Sequence, residues 1–234
     1  MSSQPTLKDL LSGHRVLVIE DHAVVRAGLL AELAGALPPE SILMVENDAS
    51  AREALAEFAP TLAIVDLILG GRRKLGDGLS MMEDFSRRHP GLVMLVYSSV
   101  EDADIARRAL ATGARGYVAK CEPMENLHLA LASVLAGKVY LSPALFAELG
   151  GASRSPTLAA DPRFALLTNR ERHVLHATAL GQPNRRIAAD LGLSVKTVES
   201  HKDALKRKLA LNSAGELEQV SQTYLTALLG ISTG

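Results

Sequence analysis

The chain has one cysteine, no tryptophan and a net charge close to zero. The lone Cys121 excludes an internal disulfide framework and fits a reducing compartment. No stretch approaches the roughly 18 apolar residues of a membrane helix, and residues 1–11 lack the basic-then-apolar order of a secretory signal. The expectation is a cytoplasmic protein with no membrane partner. There is no internal repeat and no low-complexity tract. What is present is 234 residues, 47% hydrophobic and 22% charged, enough for one large or two modest domains with real cores. The net charge of -1 hides an asymmetry: residues 163–234 carry 10 Lys and Arg against 6 Asp and Glu, and residues 1–162 carry 15 against 20. An acidic front and a basic back suggest two domains with different partners, one of them a polyanion.

Three short apolar runs, Val16–Ile19, Leu62–Val65 and Leu92–Val96, are too short for helices and do not alternate, which marks strands covered on both faces. Ser41–Glu46 and Arg115–Ala119 are weaker strands. Helical spacing occupies Val24–Leu37, Ala51–Phe58, Leu79–Arg88, Asp102–Thr112 and Met124–Ala136. This alternation predicts a doubly wound α/β domain with a five-stranded parallel sheet, where ligands gather beyond the carboxyl ends of the strands. Leu149–Phe164, rich in Gly, Ser and Pro, reads as a linker, preceded by a short helix at Pro143–Glu148. Beyond it, Thr168-x-x-Glu171, Asn184 after Pro183, Ser194 after Gly192, and Ser213-x-x-Glu216 are four helix starts. They predict a small all-α four-helix domain. The predicted division is 14–140, a linker over 141–165, and 166–234.

Strand one ends in Glu20-Asp21 and strand three in Asp66. Those strands are neighbours in such a sheet, so three carboxylates converge. Their repulsion calls for a cation, and a hard, oxygen-seeking ion such as Mg²⁺ suits them while engaging phosphate oxygens. Strand four ends in Ser98 and the fifth in Lys120, a hydroxyl and an ammonium able to hold a phosphoryl group, with Asp66 the nucleophile of an acyl phosphate. Acids end strands often, because loops begin there; the combination of all five residues carries the reading.

The stretches VLVIEDHAVVRAGL at 16–29, AIVDLIL at 63–69 and GARGYVAK at 113–120 resemble the receiver domain of two-component response regulators. The resemblance implies Asp66 as phosphoacceptor, Glu20 and Asp21 as the Mg²⁺-side acids, and the backbone carbonyl of Ile68 as a further metal contact. It also implies Ser98 as switch hydroxyl, Lys120 as phosphate-binding cation, Tyr117 as the aromatic that reorients on phosphorylation, and a sensor histidine kinase as donor. It implies a switch, not an enzyme: phosphohydrolases place a general acid two residues past the nucleophile, where this chain has Ile68. Two departures stand out. The segment Gly70–Gly78 is roughly four residues longer than in similar receivers and lacks their proline; it is either a solvated extension or a place where Arg72, Arg73 or Lys74 touches the donor, the kinase or the second domain. Cys121 follows Lys120 where proline or aspartate is commoner, and reads as structural, not redox-active. None of the seven histidines shows a metal-ligand spacing.

In the basic domain, Ile187, Ala188, Leu191 and Leu193 form one core stripe and Val198, Leu205 and Leu209 another, with Gly192 at the bend, the pattern of a helix-turn-helix. The segments ERHVL, IAADLGLSVKTVESH and RKLAL resemble the LuxR-type DNA-binding domain over 166–230; His173 departs from a commonly acidic position. By that resemblance Val195–Leu209 enters the major groove of double-stranded promoter DNA. Lys196, Thr197 and Lys202 lie near the backbone, Lys206 adds to the basic surface, and Glu199, Ser200 and Asp203 face base edges. Glu199 and Asp203 either accept from cytosine or pair with Lys202, Lys206 or Arg207. The apolar fourth helix, Ala214–Leu229, either makes a homodimer, as in similar proteins, or completes the core. The chain thus resembles NarL/FixJ-type response regulators. An atypical regulator that binds DNA without phosphorylation, with the first domain as a dimerisation or ligand-sensing module, is the alternative.

Overall fold

The computed structural model describes residues 6–70, 75–149 and 162–229. Six parallel strands lie in the order β2-β1-β3-β4-β5-β6. They are β1 (Val16–Ile19), β2 (Ile42–Val45), β3 (Leu62–Val65), β4 (Val93–Ser98), β5 (Gly116–Ala119) and β6 (Tyr140–Leu141). The residues of β1, β3 and β5 are all buried. That is why these runs are continuously apolar: helices cover both faces. The covering helices are α2 (Ala23–Ala34), α3 (Asp48–Glu57), α4 (Leu75–Arg88), α5 (Ala103–Ala111) and α6 (Met124–Leu135). A five-residue helix, α1 (Leu7–Leu11), precedes the sheet, opened by a Thr6–Asp9 capping box; it packs against α6, and its Leu11 is buried.

The sequence predicts five strands and the fold has six. β6 is two residues long, too short to leave a periodic signal, and exists because Tyr140 and Leu141 pair with Gly116 and Tyr117 of β5. α4 starts at Leu75, four residues before the predicted start, so Gly76 and Gly78 are helical. The predicted linker also differs at its end, where Pro162–Ala165 forms the short helix α8. α7 spans Pro143–Leu149. Residues 150–161 and 71–74, with the basic triplet Arg72, Arg73 and Lys74, lie outside the described residues.

Gly78 is a site where only glycine fits. A Cβ there would stand 2.3 Å from the carbonyl oxygen of Leu67, the residue after Asp66. α4 therefore lies directly on the loop that leaves β3. Gly78→Ala is expected to cost about 1–3 kcal/mol, as overpacking does. Gly76→Ala, which meets nothing within 4 Å, should leave stability unchanged or raise it through helix propensity. Paired thermal midpoints measure both.

The second domain, entered through α8, consists of α9 (Asn169–Ala179), α10 (Asn184–Leu191), α11 (Val195–Leu209) and α12 (Ala214–Leu229). Thr168 and Glu171 form the predicted capping box, and Ser194 caps α11 by accepting from the Thr197 amide. Asn184 is not a cap: Pro183 holds the N-cap position of α10, without a side-chain bond. Gly192 ends α10 at φ 62°, the left-handed turn into α11.

Candidate functional site

The register Ile19↔Val65 puts the ends of β1 and β3 side by side, and the Asp66 amide donates to the Ile19 carbonyl at 2.9 Å. Glu20 and Asp66 are almost wholly buried, at 1% and 2% exposure, and Ser98 is fully so. Ser98 Oγ donates to Asp66 Oδ1 at 2.7 Å, and the Ile68 amide donates to the same oxygen at 3.2 Å. Lys120 Nζ donates to Asp66 Oδ2 at 2.8 Å and stands 2.5 Å from Glu20 Oε2. Burial by itself would lower the Lys120 pKa, but its bonds to Asp66 and Glu20 outweigh that and raise it, so it stays a cation. The fold thus brings together Glu20, Asp21, Asp66, Ser98 and Lys120, five residues spread over a hundred positions.

The donor set fits a hard divalent ion. Glu20, Asp21, His22 and Asp66 each offer one atom within 4.8 Å of the others. Asp21 Oδ1 is buried without an aligned hydrogen bond among the described residues, which leaves it a lone pair that a cation could take up. The loop carrying both acids is pinned from behind. Arg26 Nη1 donates to the carbonyls of Glu20 at 2.9 Å and Asp21 at 2.8 Å, while its Nη2 pairs with Glu46 at 2.5 Å. Sequence reasoning missed Arg26, because an arginine one turn into a helix carries no signal until the fold shows what it reaches.

Tyr117 is completely buried, and its hydroxyl donates to the Val100 carbonyl at 2.8 Å. Burial pushes its phenol pKa up. The ring is therefore inward in this conformation. Cys121 is exposed, not packed; partial burial and then Glu101 push its thiol pKa up, which keeps it protonated and unreactive.

On α11, Lys196, Glu199, Ser200 and Asp203 are exposed at helical spacing, and Thr197, Lys202 and Lys206 are half-buried. Asp203 pairs with Lys206 at 2.8 Å, so in the DNA-free state the pairing option holds for this acid. Lys202 leans away from solvent; burial lowers its pKa against an opposing pull from Glu218 on α12. Lys196 and Arg207 leave part of the basic face of α11 open. The apolar helix α12 is not: Tyr224–Leu229 are buried, and the helix packs on α9 and α5.

The two domains meet along β6. Val139 donates its amide to Gln222 Oε1 at 3.1 Å, and Lys138 pairs with Glu218, both partners lying on α12. His176 of α9 donates Nε2–H to the Leu141 carbonyl at 3.1 Å and stacks on Phe146 of α7, with ring centroids 3.5 Å apart and planes 4° from parallel. Burial lowers the His176 pKa to about 3, so the ring is neutral. The sequence gives no hint of this seam, which joins positions far apart in the chain.

Comparison with known proteins places these features in context. Residues 16–132 match the family described as "Response regulator receiver domain", and residues 165–220 match "Bacterial regulatory proteins, luxR family". "Oxygen regulatory protein NreC" of Staphylococcus aureus (strain MRSA252) is 30% identical over 207 residues, which span 87% of this chain and 94% of that protein. Among solved structures, the RcsB response regulator of Salmonella typhimurium aligns with a TM-score of 0.51 at 24% identity, covering 91% of this chain and 98% of that one. RcsB of Salmonella enterica serovar Typhimurium bound to promoter P1flhDC with the phosphomimetic BeF₃⁻ aligns at 0.51 and 24%, over 90% and 98%. These structures establish likeness of fold.

Proposed function

The chain belongs to the response regulators with a LuxR-type DNA-binding domain, and on that premise we propose that Asp66 is its phosphoacceptor and that a sensor histidine kinase is the donor. The observation that carries this is the convergence of Ser98 and Lys120 on the two oxygens of one buried carboxylate. An Asp66 oxygen attacks phosphorus, the phosphorus–nitrogen bond of the donor phosphohistidine breaks, and the imidazole leaves and takes up a proton. Lys120, held cationic, offsets the charge that builds on the phosphoryl oxygens, and the Ser98 hydroxyl turns from Asp66 to donate to one of them. Glu20, Asp21, Asp66 and the Ile68 carbonyl would hold Mg²⁺, which supplies charge neutralisation between carboxylates and phosphoryl group.

No enzymatic turnover of a substrate is proposed beyond slow loss of this phosphoryl group. The intact acid pocket speaks against a phosphorylation-independent regulator. Among the described residues no helix is long and apolar enough to cross a membrane; the cytoplasmic location proposed here rests on the family. The domain boundaries proposed are 14–140 and 166–234.

The output follows from the seam. Strand β5 carries Tyr117, its neighbour β6 carries the Leu141 carbonyl, and that carbonyl holds His176 of the DNA-binding domain. A shift of β5 on phosphorylation strains this joint and releases α12, whose apolar face then pairs with a second copy and sets two α11 helices on adjacent half-sites. Lys196, Thr197, Lys202 and Lys206 would contact phosphates, and Glu199, Ser200 and Asp203 base edges. The test combines intact mass, oligomeric state and DNA affinity after incubation with Mg²⁺ and a small phosphodonor. Gain of one phosphoryl group together with dimerisation and tighter DNA binding is expected. A phosphorylated chain that stays monomeric and unchanged in DNA affinity overturns the coupling.

A further inference from the structure

We propose that His22 is a nitrogen ligand of the divalent-ion site and biases it toward a first-row transition ion such as Mn²⁺ over Mg²⁺. The proposal rests on reading the acid cluster as an ion site and adds a ligand that the sequence does not disclose. Its basis is how the carboxylate oxygens are divided. Glu20 Oε2 faces Lys120 at 2.5 Å, and Asp21 Oδ2 accepts the Gly70 amide at 2.6 Å. Glu20 Oε1 and Asp21 Oδ1 are left, and His22 Nδ1 sits against both, at 3.1 and 2.9 Å. The Glu20 Oε1 position is fixed by a backbone bond from the His22 amide at 3.0 Å. Two carboxylate oxygens and one ring nitrogen therefore converge, and Asp21 Oδ1 among them is buried without an aligned hydrogen bond.

With the ring proton on Nε2, Nδ1 adds a third lone pair to the point where the two carboxylate oxygens meet. Mg²⁺ keeps its water in preference to imidazole, whereas the first-row transition ions gain from a nitrogen ligand, least at Mn²⁺ and increasingly along the series. An all-oxygen site gives little ground for choosing between them; one imidazole does. His22 is also free to serve: its side chain is 64% exposed, and at the N-cap of α2 it makes no side-chain capping bond that a substitution would remove.

The test uses the full chain with Mn²⁺ and Mg²⁺ as probes, by calorimetry and by pulsed electron paramagnetic resonance of bound Mn²⁺. Wild type should show ¹⁴N coupling to Mn²⁺. His22→Ala should lose it and bind Mn²⁺ about tenfold more weakly, with Mg²⁺ affinity changed by less than about twofold. Asp21→Asn should weaken both ions, which locates them. Absence of nitrogen coupling in wild type, or equal effects of His22→Ala on both ions, overturns the role of His22 and leaves the acid site standing. Failure of wild type to bind either ion overturns both.

Discussion

Asp66→Asn is expected to abolish phosphoryl incorporation outright while leaving the fold intact. The carboxamide keeps the shape and keeps one oxygen to accept from Ser98 and the Ile68 amide, both of which bond to Asp66 Oδ1. It cannot form the acyl phosphate, and neighbouring Glu20 has one oxygen against Lys120 and the other against His22. The amide nitrogen that replaces Oδ2 cannot accept from Lys120, but Lys120 retains Glu20 as its counter-ion and one of three crowded acids is removed, so the fold should persist with little net change in stability. The effect on output is equally large. Moving a receiver from almost wholly inactive to almost wholly active takes about 5.5 kcal/mol of differential interaction. Charge-assisted bonds from Ser98 and Lys120 to the phosphoryl group, at roughly 1.5–3 kcal/mol each, reach that figure only together. Intact mass with Mg²⁺ and phosphodonor should show one added phosphoryl group on wild type and none on the variant, whose DNA affinity should ignore the donor. A mass gain that survives in Asp66→Asn would move the acceptor elsewhere.

Acidification to pH 5 should loosen the seam between the domains, with His176 as the titrating group. Its pKa is lowered to about 3 by burial, against 6.5 when freed. Between those values the released ring binds a proton and the docked ring does not, so docking gains stability as pH rises. That contribution is fully present above about pH 6.5 and is lost progressively as pH falls toward 3; at pH 5 the loss is about 2 kcal/mol. Protonation adds charge to a ring stacked on Phe146, with His173 close by. Because the hydrogen-bond partner of His176 is the Leu141 carbonyl of β6, the loss should surface first as undocking. Amide exchange over β6 and α12 at pH 7 and pH 5 measures it. His176→Gln keeps a donor for Leu141 but does not titrate, and should flatten the difference. Equal acid sensitivity in the variant would assign the effect to other groups.

Much of the molecule is determined by local pattern. β1 and β3, the helix Val195–Leu209 and the helix Ala214–Leu229 have the limits the sequence predicts, because an apolar run buried on both faces and a capped amphipathic stripe are written residue by residue. The acidic cluster was legible for a related reason. In a doubly wound sheet, strand order follows from connection handedness, so residues at strand ends are placed by topology before any side chain is known. The family motifs then assigned the two domains their kinds.

Only the tertiary structure decided the rest, and in each case the cause is a contact between distant residues. β6 exists by pairing with β5. Arg26 acquires its role from two carbonyls and Glu46, and His22 stands between two carboxylates whose other oxygens are engaged elsewhere. The apolar surplus of α12, open to two readings in the sequence, is buried against α9 and α5 while part of the basic face of α11 is left to solvent. An amphipathic stripe states that a helix must bury one face; the partner is chosen by whichever surface the folded chain brings to it.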